Sequence, residues 1–395
     1  ATITSSSSPT SSSSSLTPHD LQHGDMIYSL LSILGTHNKD EMSRSLHAMS
    51  LSPESCVAMR QSGCLPLLIH LLHNSEPDPN HFNIRSRSSA TLRNIINVHC
   101  EDQRGRQESR VLRLLEQVRD YCDHLKASAL YNACSSSVVY DDVAYFQDIQ
   151  HPLGAATVLM KLTFDEEHRH AICTLGGIQA LAELLQLQQE LFGHTLDPDN
   201  LTMRRYTCMA LTNLTFGDGT NKALLCSMPG PLRALVIQLE SPCEDLCQVA
   251  ASVLRNLSWH ADTASKKYLR AAGAVEMLTR SILIIKKEST LKSLLSALWN
   301  FSSHCPENKE DICAIRGALQ LLVWSLNFKS PSKTLAVVEN GGGVLRNVSS
   351  HVATRADYRS ILRQHGCLPT LLKHLRSPSL TVVSNACGTL WNLSA

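Results

Sequence analysis

Five asparagines recur along this chain at helical positions shared with arginine and tryptophan, and the chemistry they offer is recognition of a peptide backbone. The copies read ALTNLTF (Ala210–Phe216), VLRNLSW (Val253–Trp259), ALWNFSS (Ala297–Ser303), VLRNVSS (Val344–Ser350) and TLWNLSA (Thr389–Ala395). Their asparagines are Asn213, Asn256, Asn300, Asn347 and Asn392, at intervals of 43, 44, 47 and 45. A carboxamide carries an acceptor and two donors, so it can pair with both the C=O and the N–H of an extended chain. In the copy Ala250–Trp259, helical spacing puts Ala250, Val253, Leu254 and Leu257 on one apolar stripe and Ser252, Arg255, Asn256 and Trp259 on another. The second stripe reads Met209, Thr212, Asn213, Phe216; Ser296, Trp299, Asn300, Ser303; Gly343, Arg346, Asn347, Ser350; and Gly388, Trp391, Asn392, Ala395 in the other copies. A solvated face is normally rich in Lys and Glu, whereas Asn with Arg, Trp, Phe and Met is interface composition.

Packed helices lie about 8–10 Å apart and an extended chain advances about 3.3 Å per residue, so successive asparagines match roughly every third residue of a bound peptide. On this reading Arg255, Arg346 and Lys222 supply positive charge, and Trp259, Trp299, Trp391 and Phe216 form the apolar walls. The alternative is that each amide is a spacer bonded to the neighbouring copy, as most buried amides are. The two readings are compatible, because one amide can orient the array and also meet a ligand.

Other reactive side chains form no constellation. GDGTNK (Gly217–Lys222) lacks the preceding strand and Lys-Ser/Thr ending of a phosphate loop. EEHRH (Glu166–His170) puts two histidines on opposite sides of a helix, the wrong geometry for one metal. There is no Cys-x-x-Cys pair and no triad signature. The chain reads as a non-enzyme without cofactor or metal.

The elements that position the asparagines repeat with them. Apolar runs after a small residue or glycine occur at Ser62–Leu72, Gly176–Gln186, Gly230–Glu240, Ala272–Ile282, Arg316–Leu326 and His365–Leu375. Glycine there permits a tight corner into the run. Polar breaks such as Ser241-Pro242, Lys287-Glu288-Ser289, Ser330-Pro331 and Ser377-Pro378 then open the helix with the asparagine. Three helices per 43 to 47 residues is an armadillo-type solenoid rather than a tetratricopeptide or ankyrin array. Two earlier copies depart from the pattern: Asn94 is in place, but Lys161 stands where asparagine is expected. The intervals stretch to 67 and 52, which places insertions at residues 101–150 and 187–200. The first holds an amphipathic helix, Arg110–Leu125, followed by an acidic loop with Asp141, Asp142 and Asp148. Residues 1–19 read as a disordered Ser-rich tail, 20–62 as an N-terminal cap, and 63–100 with 151–395 as repeats.

Composition agrees. Of 395 residues 43% are hydrophobic and only 5% aromatic, which suits helix-on-helix packing. No apolar window of membrane-spanning length is present, so no membrane span is expected. Cys64, Cys226, Cys247, Cys313 and Cys367 fall inside apolar helical runs and read as small hydrophobes in a reducing compartment, cytosol or nucleus. Net charge is +1, but residues 201–395 hold 22 Lys+Arg against 12 Asp+Glu, and residues 1–200 hold 14 against 23. The basic half carries the regular asparagines and would steer acidic partners. A basic groove argues against an import receptor for basic cargo. Without a sheet bearing stacking aromatics, nucleic acid is not expected as a partner.

The strings VAMRQSGCLPLL (Val57–Leu68), FDEEHRHA (Phe164–Ala171), ALTNLTFGD (Ala210–Asp218), SVLRNLSW (Ser252–Trp259), KKESTLKSLLSALWN (Lys286–Asn300), ENGGGVLRNVSS (Glu339–Ser350) and SNACGTLWNLSA (Ser384–Ala395) closely resemble the armadillo-repeat domain of the adenomatous polyposis coli family. The resemblance covers nearly all of residues 24–395. It implies an all-α, right-handed superhelical solenoid of armadillo repeats with a basic groove. That groove would hold peptide segments of a Rac/Cdc42 guanine-nucleotide exchange factor, a kinesin-associated adaptor and a membrane-recruiting adaptor. The family's groove residues map onto Met209, Asn213, Phe216, Lys222, Arg255, Asn256, Trp259, Trp299, Asn300, Arg346 and Asn347, and the repeat adds Trp391 and Asn392 as the next rung. The resemblance further implies a scaffold in the β-catenin destruction complex, a negative regulator of Wnt signalling, with links to microtubules and migration. β-Catenin itself would be met indirectly or through regions outside this segment. The expected location is cytoplasmic, at the cytoskeleton or cell cortex, or nuclear. The chain stops inside a repeat unit and is expected to be C-terminally truncated.

Overall fold

The computed structural model describes residues 38–73, 80–98, 101–134 and 151–394. The expected Ser-rich tail, the first cap helix and the acidic residues Asp141, Asp142 and Asp148 lie outside the described residues. Among the described residues every regular element is a helix. None is long and apolar enough by itself to cross a membrane. The chain divides into two compact units, Ala1–Arg110 and Val111–Ala395.

The first unit holds α1 (Lys39–Met49), α2 (Pro53–Gln61), α3 (Leu65–Leu72) and α4 (His81–Asn97). Its core is Leu46, Met59, Leu68, Leu72, Leu92, Ile95 and Ile96, all buried. Arg60 holds Glu108 through one guanidinium nitrogen, at 2.8 and 2.6 Å to the two carboxylate oxygens. The next helix, α5 (Gln103–Cys134), is 32 residues long. It is therefore longer at both ends than the Arg110–Leu125 expectation, because its flanks lack the apolar period yet hold no proline to stop them. Within the second unit it buries Val111, Leu112, Leu115, Val118, Cys122 and Leu125, the 3–4 spacing of an amphipathic stripe.

The second unit continues with α6 (Leu153–Leu162) and then five triplets. These are α7 (Glu166–Thr174), α8 (Gly177–Phe192), α9 (Pro198–Thr215); α10 (Gly219–Cys226), α11 (Pro229–Ile237), α12 (Glu244–Ser258); α13 (Thr263–Ala271), α14 (Ala274–Ile284), α15 (Glu288–Ser302); α16 (Pro306–Ala314), α17 (Ala318–Leu326), α18 (Ala336–Ala353); and α19 (Ala356–Gln364), α20 (Cys367–His374), α21 (Leu380–Ser394). The third helices pack in succession, α6 on α9 on α12 on α15 on α18 on α21.

Local chemistry explains the corners. Asp165, Asp218 and Asp262 cap α7, α10 and α13, each accepting a backbone N–H three residues on, at 3.0, 2.9 and 2.6 Å. The second helices α8, α14, α17 and α20 each start behind a left-handed glycine (Gly176, Gly273, Gly317, Gly366), a conformation that L side chains resist. The second triplet differs: α11 begins at Pro229, so Gly230 is helical and serves instead to admit the Gln186 side chain, which a Cβ would meet at 2.5 Å. In the 187–200 stretch α8 and α9 are both lengthened. Arg204 is buried there and donates to the carbonyls of Gln188 (2.6 Å) and Gly193 (2.8 Å), closing the C-terminus of α8.

Candidate functional site

The apolar stripe read from the sequence is core: Ala250, Val253, Leu254 and Leu257 are all fully buried. The asparagine stripe lies along the stacked third helices, and four of its five amides make the same contact. Asn256 Nδ2 donates to Thr212 O at 2.9 Å, Asn300 to Arg255 O at 3.1 Å, Asn347 to Trp299 O at 3.2 Å and Asn392 to Arg346 O at 3.2 Å. In each case the acceptor is the carbonyl of the residue just before the preceding asparagine. A hydroxyl two residues after the preceding motif position accepts as well: Thr163 from Asn213 (2.9 Å), Ser302 from Asn347 (2.9 Å) and Ser349 from Asn392 (2.9 Å). The donor half of each amide is thus committed to the array. Among the described residues no donor bonds the Oδ1 atoms of these five asparagines.

Trp299 and Arg346, each the residue before an asparagine, lie across the next third helix. A Cβ on Gly343 would meet the Trp299 ring at 2.2 Å, and one on Gly388 would meet Arg346 Nε at 2.5 Å. The glycines four residues before Asn347 and Asn392 are therefore seats for Trp299 and Arg346. Of the apolar walls, Phe216, Trp259 and Trp391 are strongly exposed at 75%, 58% and 76%, and Trp299 is half-buried. Met209 is half-buried beside Asn213.

Among the described residues Arg255 has no ion-pair partner, and it is half-exposed on the stripe. Arg346 is exposed and reaches only the Ser384 hydroxyl, at 3.2 Å. Lys222 is placed differently from its sequence reading. It is buried, and its ammonium donates to Trp259 O at 3.0 Å, closing the end of α12. It contributes a helix cap more than an open cation.

An open cleft of about 690 Å³ lies where α18 meets α21. Lys309, Arg346, Trp391 and Cys387 line it, with Asn347 and Asn392 at its base. Lys309 and Arg346 have no carboxylate partner among the described residues. Lys309 comes from the first helix α16, outside the stripe, and its nearest partner is the Ser350 hydroxyl at 3.4 Å. Sequence reading missed Lys309, although it stands nine residues after Asn300 as Lys222 stands nine after Asn213. It also missed the hydroxyl partners, although every copy carries Ser or Thr two residues after its asparagine, and that regularity was a usable signal. The cysteines expected in apolar runs are buried free thiols. Burial pushes Cys64, Cys226 and Cys367 up to about 11, and Cys247 and Cys313 up to about 12, so they stay protonated and unreactive.

Two family models match: the adenomatous polyposis coli (APC) repeat over residues 98–172 and the armadillo/beta-catenin-like repeat over residues 355–395. The human adenomatous polyposis coli protein is 57% identical over all of this chain, which spans 14% of that protein. The human adenomatous polyposis coli protein 2 is 51% identical over 94% of the chain, and the Caenorhabditis elegans adenomatous polyposis coli protein-related protein 1 is 35% identical over 62%. Among solved structures, a designed armadillo repeat protein superposes with a TM-score of 0.50 at 22% identity, covering 62% of this chain and 95% of that one. A second, computationally designed for modular peptide recognition, gives 0.51 at 19% identity, covering 71% and 98%.

Proposed function

Because the chain is an armadillo-repeat domain of the adenomatous polyposis coli family, and such a domain is a protein-interaction scaffold, we propose that its asparagine row is a groove for short, acidic, extended peptides. The row of Oδ1 acceptors carries this reading: each amide spends its donors on the neighbouring repeat and offers its oxygen to a peptide N–H. Phe216, Trp259 and Trp391 form side-chain pockets between rungs, and Arg255, Arg346 and Lys309 receive carboxylates. Peptide segments of a Rac/Cdc42 exchange factor, a kinesin-associated adaptor and a membrane-recruiting adaptor are the proposed partners. The proposed setting is an APC-type negative regulator of Wnt/β-catenin signalling, cytoplasmic and associated with the cytoskeleton, acting as a scaffold and not as an enzyme.

The test is fluorescence polarisation with a labelled acidic peptide. Arg255→Glu and Trp259→Ala should each weaken binding tenfold or more, about 1.4 kcal/mol, with little change in melting temperature, since Arg255 has no ion-pair partner among the described residues and Trp259 gives up only an edge contact with the exposed His260 ring. Binding indifferent to both changes would reduce the row to internal architecture. Asn256→Ala is the poorer probe, because it also removes the inter-repeat bond to Thr212 O and destabilises the joint by about 1 kcal/mol.

A further inference from the structure

A second row of contacts ties the repeats together at the opposite end of the third helices. In α12, α15 and α18 an acid in the first turn is held by the polar break that opens the next third helix. Glu244 accepts from Lys287 N at 3.1 Å, and Asp245 pairs with the Lys287 ammonium. Glu339 accepts from the Ser379 hydroxyl at 2.7 Å. Between them, Glu288 of α15 receives three hydroxyls on the single oxygen Oε1: Ser330, Ser332 at 2.7 Å and Thr334 at 3.4 Å. The carboxylate sits well below its ordinary range because the Ser330 and Ser332 hydroxyls bond to it, so it is a full anion at neutral pH.

This joint differs from the others in gathering three hydroxyls of one outward loop, between α17 and α18, on a single carboxylate oxygen. Ser330 is half-exposed and Ser332 is exposed. Ser330 is followed by Pro331, and Lys333 stands three residues beyond it. Proline-directed kinases that prefer a basic residue at that position accept this arrangement. The described residues contain three other Ser-Pro pairs, and each is unlike it. Ser52 bonds Glu54 of its own helix, Ser241 is buried, and Ser377 accepts from Ser379 N without touching a carboxylate. None of the three has a basic residue three positions on.

We infer that Ser330 is a phosphorylation site whose modification opens the joint between the repeats ending in α15 and α18. A proline-directed protein kinase transfers the γ-phosphoryl group of ATP to Ser330. A bond forms between Oγ and phosphorus, the bridging bond to the β-phosphate breaks, the hydroxyl proton is lost to solvent, and ADP leaves. The product replaces a donor with a group of about −2 charge set against the Glu288 carboxylate, and like charges at this range repel. The lysines nearest the phosphate in sequence, Lys329 and Lys333, belong to the same loop and form no ion pair with α15, so they accompany it outward. The loop leads directly into α18, whose N-terminus has no side-chain cap. Releasing it therefore frays the start of the helix that carries Arg346 and Asn347.

The experiment treats the folded chain with Mg-ATP and a proline-directed kinase that takes Ser-Pro-x-Lys. The phosphate is mapped by mass spectrometry and amide exchange is followed over residues 327–340. The expected result is incorporation at Ser330, absent in Ser330→Ala, with exchange faster by about tenfold, as for loss of one hydrogen bond to a charged group. In Glu288→Gln the same phosphate should leave exchange nearly unchanged, because the repelling charge is gone. No incorporation at Ser330 in the folded chain overturns the inference. So does unchanged or slower exchange, the mark of phosphate re-docking on the α18 N-terminus, and so does equal acceleration in Glu288→Gln, which would make bulk and not charge the cause.

Discussion

Asn256 and Arg255 are adjacent in sequence and divide the work between them. The amide spends its N–H on Thr212 O and is buried, while the guanidinium carries charge with no ion-pair partner among the described residues. The identity of the groove residues was legible in the sequence because they recur together. The direction of each amide was not, since its acceptor belongs to a helix 44 to 48 residues away. The same holds for Lys222, whose neighbours in sequence suggest a free cation and whose reach across to Trp259 O makes it a cap. A residue-scale prediction follows from the seat under Trp299. Gly343→Ala places a methyl where the ring lies, so the indole must swing into solvent. Overpacking of this kind costs about 1–3 kcal/mol. Tryptophan emission should shift to the red and peptide affinity should fall, whereas Gly154→Ala, at a site open to space, should change neither.

At the scale of the element, the repeat boundaries were readable from glycine, Ser-Pro breaks and Asp caps, because those residues act on their own backbone. The exceptions were elements whose ends depend on distant partners. Helix α8 continues past residue 187 because buried Arg204 closes its far end, and no local signal announces that. The short linker between α15 and α16 carries His304, whose Nε2 lies 2.7 Å from Ser258 O on the previous third helix. Burial lowers its pKa below the ordinary 6.5, with Lys266 adding to the effect and the bond to Ser258 opposing it. Between that lowered value and 6.5 the unfolded chain binds a proton that the folded chain refuses. The stability this histidine contributes is therefore present above about pH 6.5 and lost as pH falls through the folded value. Melting temperature should drop from pH 7.5 to 5.5, and His304→Gln, which still donates to Ser258 O, should flatten that slope. A slope identical in the variant would remove His304 as the cause.

At the scale of the molecule, what sequence reading captured best was the array itself, since its period is written into five copies of one motif. What it captured least was charge brought in by the first helices, such as Lys309, which completes the cleft beside Arg346. Because Arg255, Arg346 and Lys309 lack carboxylate partners among the described residues, their field reaches solvent and is open to screening by salt. Association of an acidic peptide should slow several-fold between about 50 and 300 mM salt while dissociation changes little, as for steered encounters. A salt-independent association rate would assign recognition to the aromatic pockets alone.

The uniformity of the asparagine joints has a consequence for how such a domain can change its length. Every joint from Asn256 onward joins the same two kinds of atom at the same offset, so the joints are interchangeable parts. Excising residues 256–299 would splice Arg255 directly to Asn300. The new rung would find Thr212 O waiting where Asn256 had met it, and Gly343 would receive an arginine as Gly388 already does. The scaffold can therefore lose or gain whole rungs, each a fixed increment of recognisable peptide, without inventing a new contact. Its specificity is counted in integers, and a domain of this kind works as a ruler as well as a glove.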